Sequence, residues 1–505
     1  MSSFPSSSIG LPNTCNYTLP PSLSDNSKST NISQAPDGIT VVSGPSTGFQ
    51  FAANQSISNP FTSQVVSFTI PSGNSSTNSI FLDPSATCLS FTVTYTISNT
   101  PSVTGGRVKL LGSAASFWDQ LVLYSDNVPL EQCGNYGLLQ NFLLQNTCNL
   151  SERYGGVSVS MGADTNTANG IDLAFAAAGT YRYNFCIPLI SIIGVNSDKL
   201  IPISSINNLQ LQMTTATVLP IAVYCTGVTT QPTFSTPITI TDLNLNLKYI
   251  DLGDMAGALL SQTLQDGKWF IKTSTYTNST VALPTGSGGS QQLMLQLRQT
   301  SVKSIYSQFG QSNSIAAQSL CTPSGYYDAI NIGTNFRQLQ IGQSFYPSKG
   351  INDLQQSAYG YNFTIQSMGG GPAKSLGTVV NRLFYNTLGG LGPASGTPAL
   401  IPIGSDTYCN YAISTTPLNR STPAGSDDSS ANDILNWPAM AYYGYDLEKS
   451  NSSNLFQGVN TRATPPFLNL TLSTTLASSI TCNAWAYSDL ILQIDTVSKQ
   501  ARAFV

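Results

Sequence analysis

The stretch from Trp437 to Val505 decides the fold: WPAMAYYGYDLEKSNSSNLFQGVNTRATPPFLNLTLSTTLASSITCNAWAYSDLILQIDTVSKQARAFV. After a long loop it carries two strand-like runs, Leu468–Thr474 (LNLTLST) and Asp489–Asp495 (DLILQID), in which apolar and polar residues alternate. Successive side chains on a strand face opposite sides, so alternation marks a strand with one face on a core. Counterparts of both runs occur about halfway along the chain, Leu209–Ala216 (LQLQMTTA) for the first and Asp242–Asp251 (DLNLNLKYID) for the second. The offset is roughly 250 residues in each case, the size of one all-β sandwich. The chain reads as two units built on one plan.

Working outward, short runs rich in Val, Ile, Thr, Phe and Tyr begin at Phe51: Val65–Ile70, Leu89–Ile97, Gln120–Tyr124 and Leu209–Met213. Gly, Pro, Asn and Ser clusters separate them, the pattern of an all-β sandwich. In the second half Leu293–Leu297 (LMLQL) alternates, Arg337–Tyr346 reads as strand, turn and strand, and Ser301–Tyr306 (SVKSIY) occupies the place that QLVLY has in the first half. Helices are scarce. Gly134–Cys148 sets Leu138, Leu139, Phe142 and Leu143 at helical spacing, and Gly257–Leu264 is a second short candidate. The predicted organisation is an arm over 1–51, dominated by Ser, Pro, Asn and Thr, then an eight-stranded antiparallel sandwich over 52–255 and another over 256–505. Gly-rich segments at Thr285–Ser290, Gly369–Pro372 and Gly389–Gly396 read as surface loops.

Charged residues make up 9% of the 505 and the net charge is −4, against roughly 25% charged in an average soluble protein. Charge is depleted at the centre of protein interfaces because an unpaired ion there carries its full desolvation cost. Such a chain suits being covered by neighbours. Its 20 basic residues are dispersed among 24 acidic ones with no basic run, which argues against direct nucleic-acid binding. Met1–Ile9 has neither a basic region nor an apolar core, and the longest apolar stretch, Phe185–Val195, falls short of the roughly 20 residues that span a bilayer. A chain made inside a cell, without a transmembrane segment, is expected. Nine scattered cysteines with no C-x-x-C pair then predict free thiols, and the sequons at Asn16, Asn278 and Asn469 are expected to stay unmodified.

The chain contains no histidine. Ser-His-Asp and Cys-His designs, an imidazole base and the commonest metal ligand are all closed to it. Paired carboxylates of the glycosidase kind need only two acids, and Asp119, Asp126 and Glu131, or Asp427 and Asp428, lie close in sequence. Hairpin-turn chemistry at Asp126-Asn127 and a solvated loop around Asp427 account for them better. Gly369–Ser375 lacks the spacing of a phosphate loop. Trp118, Trp269, Trp437 and Trp485 can form a stacking platform, but the alternation around Trp485 and Tyr487 favours core or subunit interface. No catalytic, cofactor-binding or metal-binding residue is assigned.

Phe117–Glu131 (FWDQLVLYSDNVPLE), Tyr181–Pro202 (YRYNFCIPLISIIGVNSDKLIP), Leu209–Ala216, Arg337–Pro347 (RQLQIGQSFYP) and Tyr445–Thr461 (YDLEKSNSSNLFQGVNT) with the final strand pair form an ordered set. That set resembles segments of the double jelly-roll major capsid proteins of polinton-like viruses, virophages and polintons. The resemblance implies two tandem jelly rolls side by side, homotrimeric capsomers of pseudo-hexagonal outline, and an icosahedral shell assembled inside an infected host cell. It also implies penton and minor capsid partners and no cofactor. Phe4, Ile9, Leu11, Tyr17 and Leu19 are then apolar anchors of an assembly arm lying against the inner side of the shell. The competing class, a carbohydrate-binding or adhesive β-sandwich, is expected to carry a signal peptide, disulfides or a calcium-binding acid cluster.

Overall fold

The computed structural model describes residues 33–34, 40–43, 49–51, 64–72, 80–97, 106–110, 113–147, 158–162, 172–175, 179–218, 220–225, 238–251, 262, 264, 266–311, 329, 332, 334–352, 357–368, 401–403, 406–408, 442–448, 456–473, 475–476 and 479–504. The first half opens with strands β1 (Ser33–Gln34), β2 (Thr40–Ser43), β3 (Phe49–Phe51), β4 (Val65–Ile70), β5 (Ile80–Ile97) and β6 (Gly106–Leu110). There follow β7 (Trp118–Ser125), β8 (Val128–Gly134), helices α1 (Tyr136–Thr147) and α2 (Ser158–Met161), and β9 (Asp172–Phe175). It closes with β10 (Gly179–Pro188), β11 (Leu209–Thr215), β12 (Ile221–Cys225) and β13 (Ile238–Asp251). The second half runs β14 (Lys268–Leu283), β15 (Gly289–Met294), β16 (Val302–Gln311), β17 (Thr334–Ile341), β18 (Ser344–Ile351) and helix α3 (Ser357–Ser367). It ends with β19 (Ile401–Ile403), β20 (Asp406–Tyr408), β21 (Tyr442–Asp446), β22 (Phe467–Leu472), β23 (Ile480–Asp495) and β24 (Gln500–Phe504).

The sheets establish the duplication strand by strand. In the second half one sheet is ordered β14-β23-β16-β21 and the other β15-β22-β17-β18. Counting those eight strands along the chain, the first, eighth, third and sixth make one sheet and the second, seventh, fourth and fifth the other, which is a jelly roll. The first half repeats the order, with β13-β5-β10 in one sheet and β4-β11-β7-β8 in the other. Its first strand is the broken series β3, β2 and β1, which lies antiparallel along the edge of β13: Phe51 opposite Ile238, Val42 opposite Leu245, Ser33 opposite Asp251. Strands of the first jelly roll therefore lie inside the segment 1–51 expected to be an arm, and residues 1–32 lie outside the described residues.

A second correction concerns the match between halves. β16, which contains most of SVKSIY, occupies the place of β5, and the counterpart of QLVLY in β7 is β17. Alternation misled here because both pairs carry the same period. The runs at Leu209 and Leu468 do occupy equivalent places in β11 and β22, and those at Asp242 and Asp489 in β13 and β23.

Local chemistry explains the hairpins. Asp126 and Asn127 have φ of 46° and 66°, the twist-matching two-residue turn for which Asn and Asp are suited. Gly342, with φ of 60°, turns β17 into β18. β4, β11 and β22 alternate buried with more exposed residues along their length. Between the sheets of the first unit lie Phe91, Phe117 and Trp118, with ring centroids about 6 Å apart. α1 forms where Leu138, Leu139 and Phe142 are spaced for burial. Three connections of the first unit, carrying β6, β9 and β12, gather into a small separate sheet. The helix expected over Gly257–Leu264 and the boundary near 255 lie outside the described residues, apart from 262 and 264.

Candidate assembly interfaces

The two jelly rolls meet through unlike surfaces. In the second unit Arg337 of β17 reaches the rings of Tyr443 and Tyr445, at 4.6 and 5.6 Å, and Phe309 packs on Tyr443 at 5.8 Å. These residues face the second unit's own core. By alternation Tyr306, Tyr442 and Trp485 turn to the other face of the sheet, and that face is covered by the first unit. Phe142 of α1 sits among them, 5.0 Å from Tyr306, 4.9 Å from Tyr442 and 6.4 Å from Trp485. The Trp485 indole donates to the Gly134 carbonyl at 3.2 Å, and the Asn135 amide donates to Thr280 at 3.0 Å and Asn483 at 2.9 Å.

Glu131 of β8 is 4% exposed at the same junction. One carboxylate oxygen accepts from the Ser191 hydroxyl at 2.6 Å and the Ile192 amide at 2.9 Å, and the other from the Thr275 hydroxyl of the second unit at 2.8 Å. Burial pushes its pKa up, only partly offset by those donors. Burial likewise raises Asp119, and it raises the Cys133 thiol with help from the two carboxylates. Nearby, Thr273 and Ser274 both donate to the Asn196 carbonyl, at 3.0 and 3.2 Å. Phe81 meets Trp269 edge-on at 6.1 Å. The C-terminal strand joins in, with Ala501 donating to Ser125 at 3.3 Å and Asn207 to the Lys499 carbonyl at 2.9 Å.

A charged cluster braces the second unit. Asp489, 1% exposed, lies 3.5 Å from Lys272 and 3.6 Å from Lys303, and accepts from Ser301 at 2.8 Å. Burial lowers the Lys272 pKa against the pull of Asp489, and burial raises Glu448 beside it. Lys303 lies over the Tyr487 ring at 4.2 Å.

The sequence candidates sort as follows. Asp126 sits on its turn and accepts from Asn208 at 2.7 Å, while both oxygens of Glu131 are engaged inside the protein, so these acids form no facing pair for hydrolysis. Trp118, Trp269 and Trp485 are buried. Cys88, Cys133, Cys186 and Cys482 carry no disulfide. Among the described residues no group of three or more Cys, Asp or Glu is placed to hold a metal ion, and no helix is long and apolar enough to cross a membrane. Phe4, Ile9, Leu11, Tyr17 and Leu19, together with Asp427, Asp428, Trp437 and Gly369–Ser375, lie outside the described residues. Sequence reasoning missed the Phe142 cluster and the Asp489 network. Asp489 falls at an outward position of the run DLILQID, where an acid is ordinary, so no signal in the sequence set it apart.

No family model matches the chain, and no curated protein does. Solved structures do. Similar over 93% of this chain and 96% of theirs is PBCV-1 VP54 fitted into a cryo-EM reconstruction of the virophage Sputnik, at 12% identity and a TM-score of 0.52. The cryo-EM structure of the Sputnik virophage matches at 12% identity, covering 92% of this chain and 88% of that one, with a TM-score of 0.51. The major capsid protein of mavirus matches at 10% identity over 93% of this chain and 90% of its own, also at 0.51. Identity this low shows the fold alone: a double jelly roll spanning nearly the whole chain.

Proposed function

We propose that this chain is a structural major capsid protein, forming homotrimeric, pseudo-hexagonal capsomers that tile an icosahedral shell inside an infected cell. The observation that carries the reading is the pairing of two jelly rolls of one strand order through unlike surfaces. The first unit's β8 and α1 cover the second unit's sheet. Two units of one plan joined through unlike surfaces suit a contact that copies can repeat head to tail into a ring. The 9% charge content supports it, since lateral surfaces can be covered without stranding ions. The solved neighbours include a protein named as a major capsid protein.

On this reading the work is mechanical and the acids and thiols are structural. Penton and minor capsid proteins are the further partners. Residues 1–32, with Phe4, Ile9, Leu11, Tyr17 and Leu19, act as an arm that orders on neighbouring capsomers. Expression of the full chain followed by sedimentation and electron microscopy tests the proposal. Stable trimers and closed particles are expected; a protein that remains monomeric at every concentration overturns it.

A further inference from the structure

We propose that Cys88 of β5 and Cys186 of β10 form a redox-active thiol pair, which a peroxide oxidises to a reversible disulfide that staples the two strands together.

β5 and β10 run antiparallel, with Cys88 opposite Pro188 and Cys186 opposite Ser90. The two cysteines are therefore diagonal neighbours on adjacent strands. Leu89, Phe91, Phe185 and Ile187 are buried in the core, so by alternation Cys88 and Cys186 share the opposite face. Both are free and only partly buried. Their thiols are in hydrogen-bonding contact, with Cys186 donating to Cys88.

The surroundings make the two sulfurs unequal. Asn246 of β13 lies opposite Cys88, and its amide donates to the Cys88 sulfur at 3.7 Å and to the Ser90 hydroxyl oxygen at 3.1 Å. With the Cys186 thiol as a second donor, negative charge is held best on Cys88. The bond from Cys186, helped by Asn246, draws the Cys88 pKa below the ordinary thiol value against the effect of burial. Giving that same bond, together with burial, raises Cys186. The thiolate is the attacking species, and a partly exposed one beside a second thiol is the arrangement of a redox-sensing cysteine with its resolving partner. Cys133 and Cys482 are buried, and burial raises both, so these two stay inert.

The Cys88 thiolate attacks one oxygen of the peroxide. The O–O bond breaks, hydroxide leaves with the proton that Cys88 gave up, and Cys88 becomes a sulfenic acid. The Cys186 sulfur then attacks the Cys88 sulfur: the S–S bond forms, the S–O bond breaks, and the Cys186 proton departs with the hydroxyl as a second water. Two thiols lose two electrons and the peroxide gains them. Diagonal sheet neighbours have Cα atoms about 7–8 Å apart, slightly beyond the usual span of a disulfide, so closure draws the strands together and leaves a bond that thiol reductants open readily. It also closes a loop of about 100 residues, which restricts the unfolded chain. On the shell-building reading, passage from the reducing interior of a cell to oxidising surroundings closes the staple.

The full chain, reduced and freed of reductant, is exposed to a small molar excess of hydrogen peroxide, then denatured, alkylated and digested without reductant. A peptide joining Cys88 to Cys186 is expected, with the loss of two hydrogens from the intact mass and recovery of both thiols in dithiothreitol. Cys133 and Cys482 should remain alkylatable. Cys186→Ser should stop at a Cys88 sulfenic acid that dimedone traps, and Cys88→Ser should leave Cys186 reduced. Oxidation should raise the melting temperature of the parent by at least about 3 °C and that of neither variant. A parent in which both cysteines stay alkylatable, or in which Cys88 pairs with another cysteine, overturns the inference; an oxidised parent that melts no higher overturns the staple. Where a serine variant fails to fold, the parent alone decides: brief iodoacetamide treatment should label Cys88 ahead of Cys133 and Cys482, and labelling of Cys88 no faster than theirs overturns the assignment. None of these outcomes alters the capsid reading, which sedimentation and electron microscopy decide.

Discussion

Glu131 and Thr275 are joined across the junction of the two jelly rolls by a 2.8 Å hydrogen bond between a fully buried carboxylate and a hydroxyl. No cation is among the groups bonded to that carboxyl: its partners are Ser191, the Ile192 amide and Thr275. When it ionises, its charge is held by dipoles alone. Replacing it with alanine leaves three donors without an acceptor, and Glu131→Ala should lower stability by about 2–4 kcal/mol. Glu131→Gln keeps the shape and should cost much less. Denaturant unfolding of the two variants distinguishes a hydrogen-bonding role from simple packing.

The same carboxylate gives a pH dependence of definite sign. Its folded-state pKa is raised by burial, so its neutral form is favoured by the folded protein. The stability it contributes is present in full below the unfolded value of about 4.3 and is lost as pH rises through the folded value. Asp119 is shifted the same way. Thermal melts of the parent and Glu131→Gln between mild acid and neutrality should therefore show the variant gaining on the parent as pH rises. A constant difference across the range contradicts the assignment.

Trp485 is the aromatic anchor of the junction, buried completely and bonded to Gly134. Trp485→Phe removes that bond and should cost about 1 kcal/mol, while Trp485→Ala should cost about 3–5 kcal/mol. Because Phe142 stacks on it at 6.4 Å, the double variant Phe142→Ala with Trp485→Ala should fall short of the summed single costs by about 0.5–1.5 kcal/mol. Additive effects would mean that the rings do not act together.

Much of this was legible in residue order. Alternation located β4, β11, β13, β22 and β23, Asp126-Asn127 announced its turn, and Leu138, Leu139 and Phe142 gave α1. What escaped was set by tertiary partners. Residues 33–51, interrupted by Gly and Pro, carry no sustained period, yet β1, β2 and β3 within them pair through backbone with the edge of β13, and backbone bonds leave no compositional trace. α3 was also unread. Its sequence, SAYGYNFTIQS, has a central glycine and β-branched residues and little helix preference. It is held from outside, by Phe363 packing on Tyr445 and by Thr364, whose hydroxyl accepts from the Gly444 amide at 3.1 Å. Glu131 read as a turn acid because nothing in VPLEQC announces that Thr275 lies across from it.

Asp489 shares its buried oxygen between Lys272 and Lys303. Asp489→Asn strands two partly buried ammonium groups and should cost about 3–5 kcal/mol. Changing all three, Asp489→Asn with Lys272→Met and Lys303→Met, should recover a large part of that loss, since paired removal of buried charge is far cheaper than removal of one partner. Chemical denaturation of the single and triple variants decides it. Equal losses in both would show that packing, and not charge, carries the site.

The last prediction separates an arm from a strand. Deleting residues 2–31 leaves β1, β2 and β3 in place, so trimers should form with an unchanged circular dichroism signature while particle yield and heat resistance fall. Deleting residues 2–45 also removes β1 and β2, whose partners run from Asn244 to Leu247 and on to Asp251. That bares part of the edge of β13, and an unpaired edge invites aggregation. The longer deletion should therefore damage the trimer itself. If both deletions behave alike and both assemble normally, residues 1–32 are dispensable and the β13 edge needs no cover.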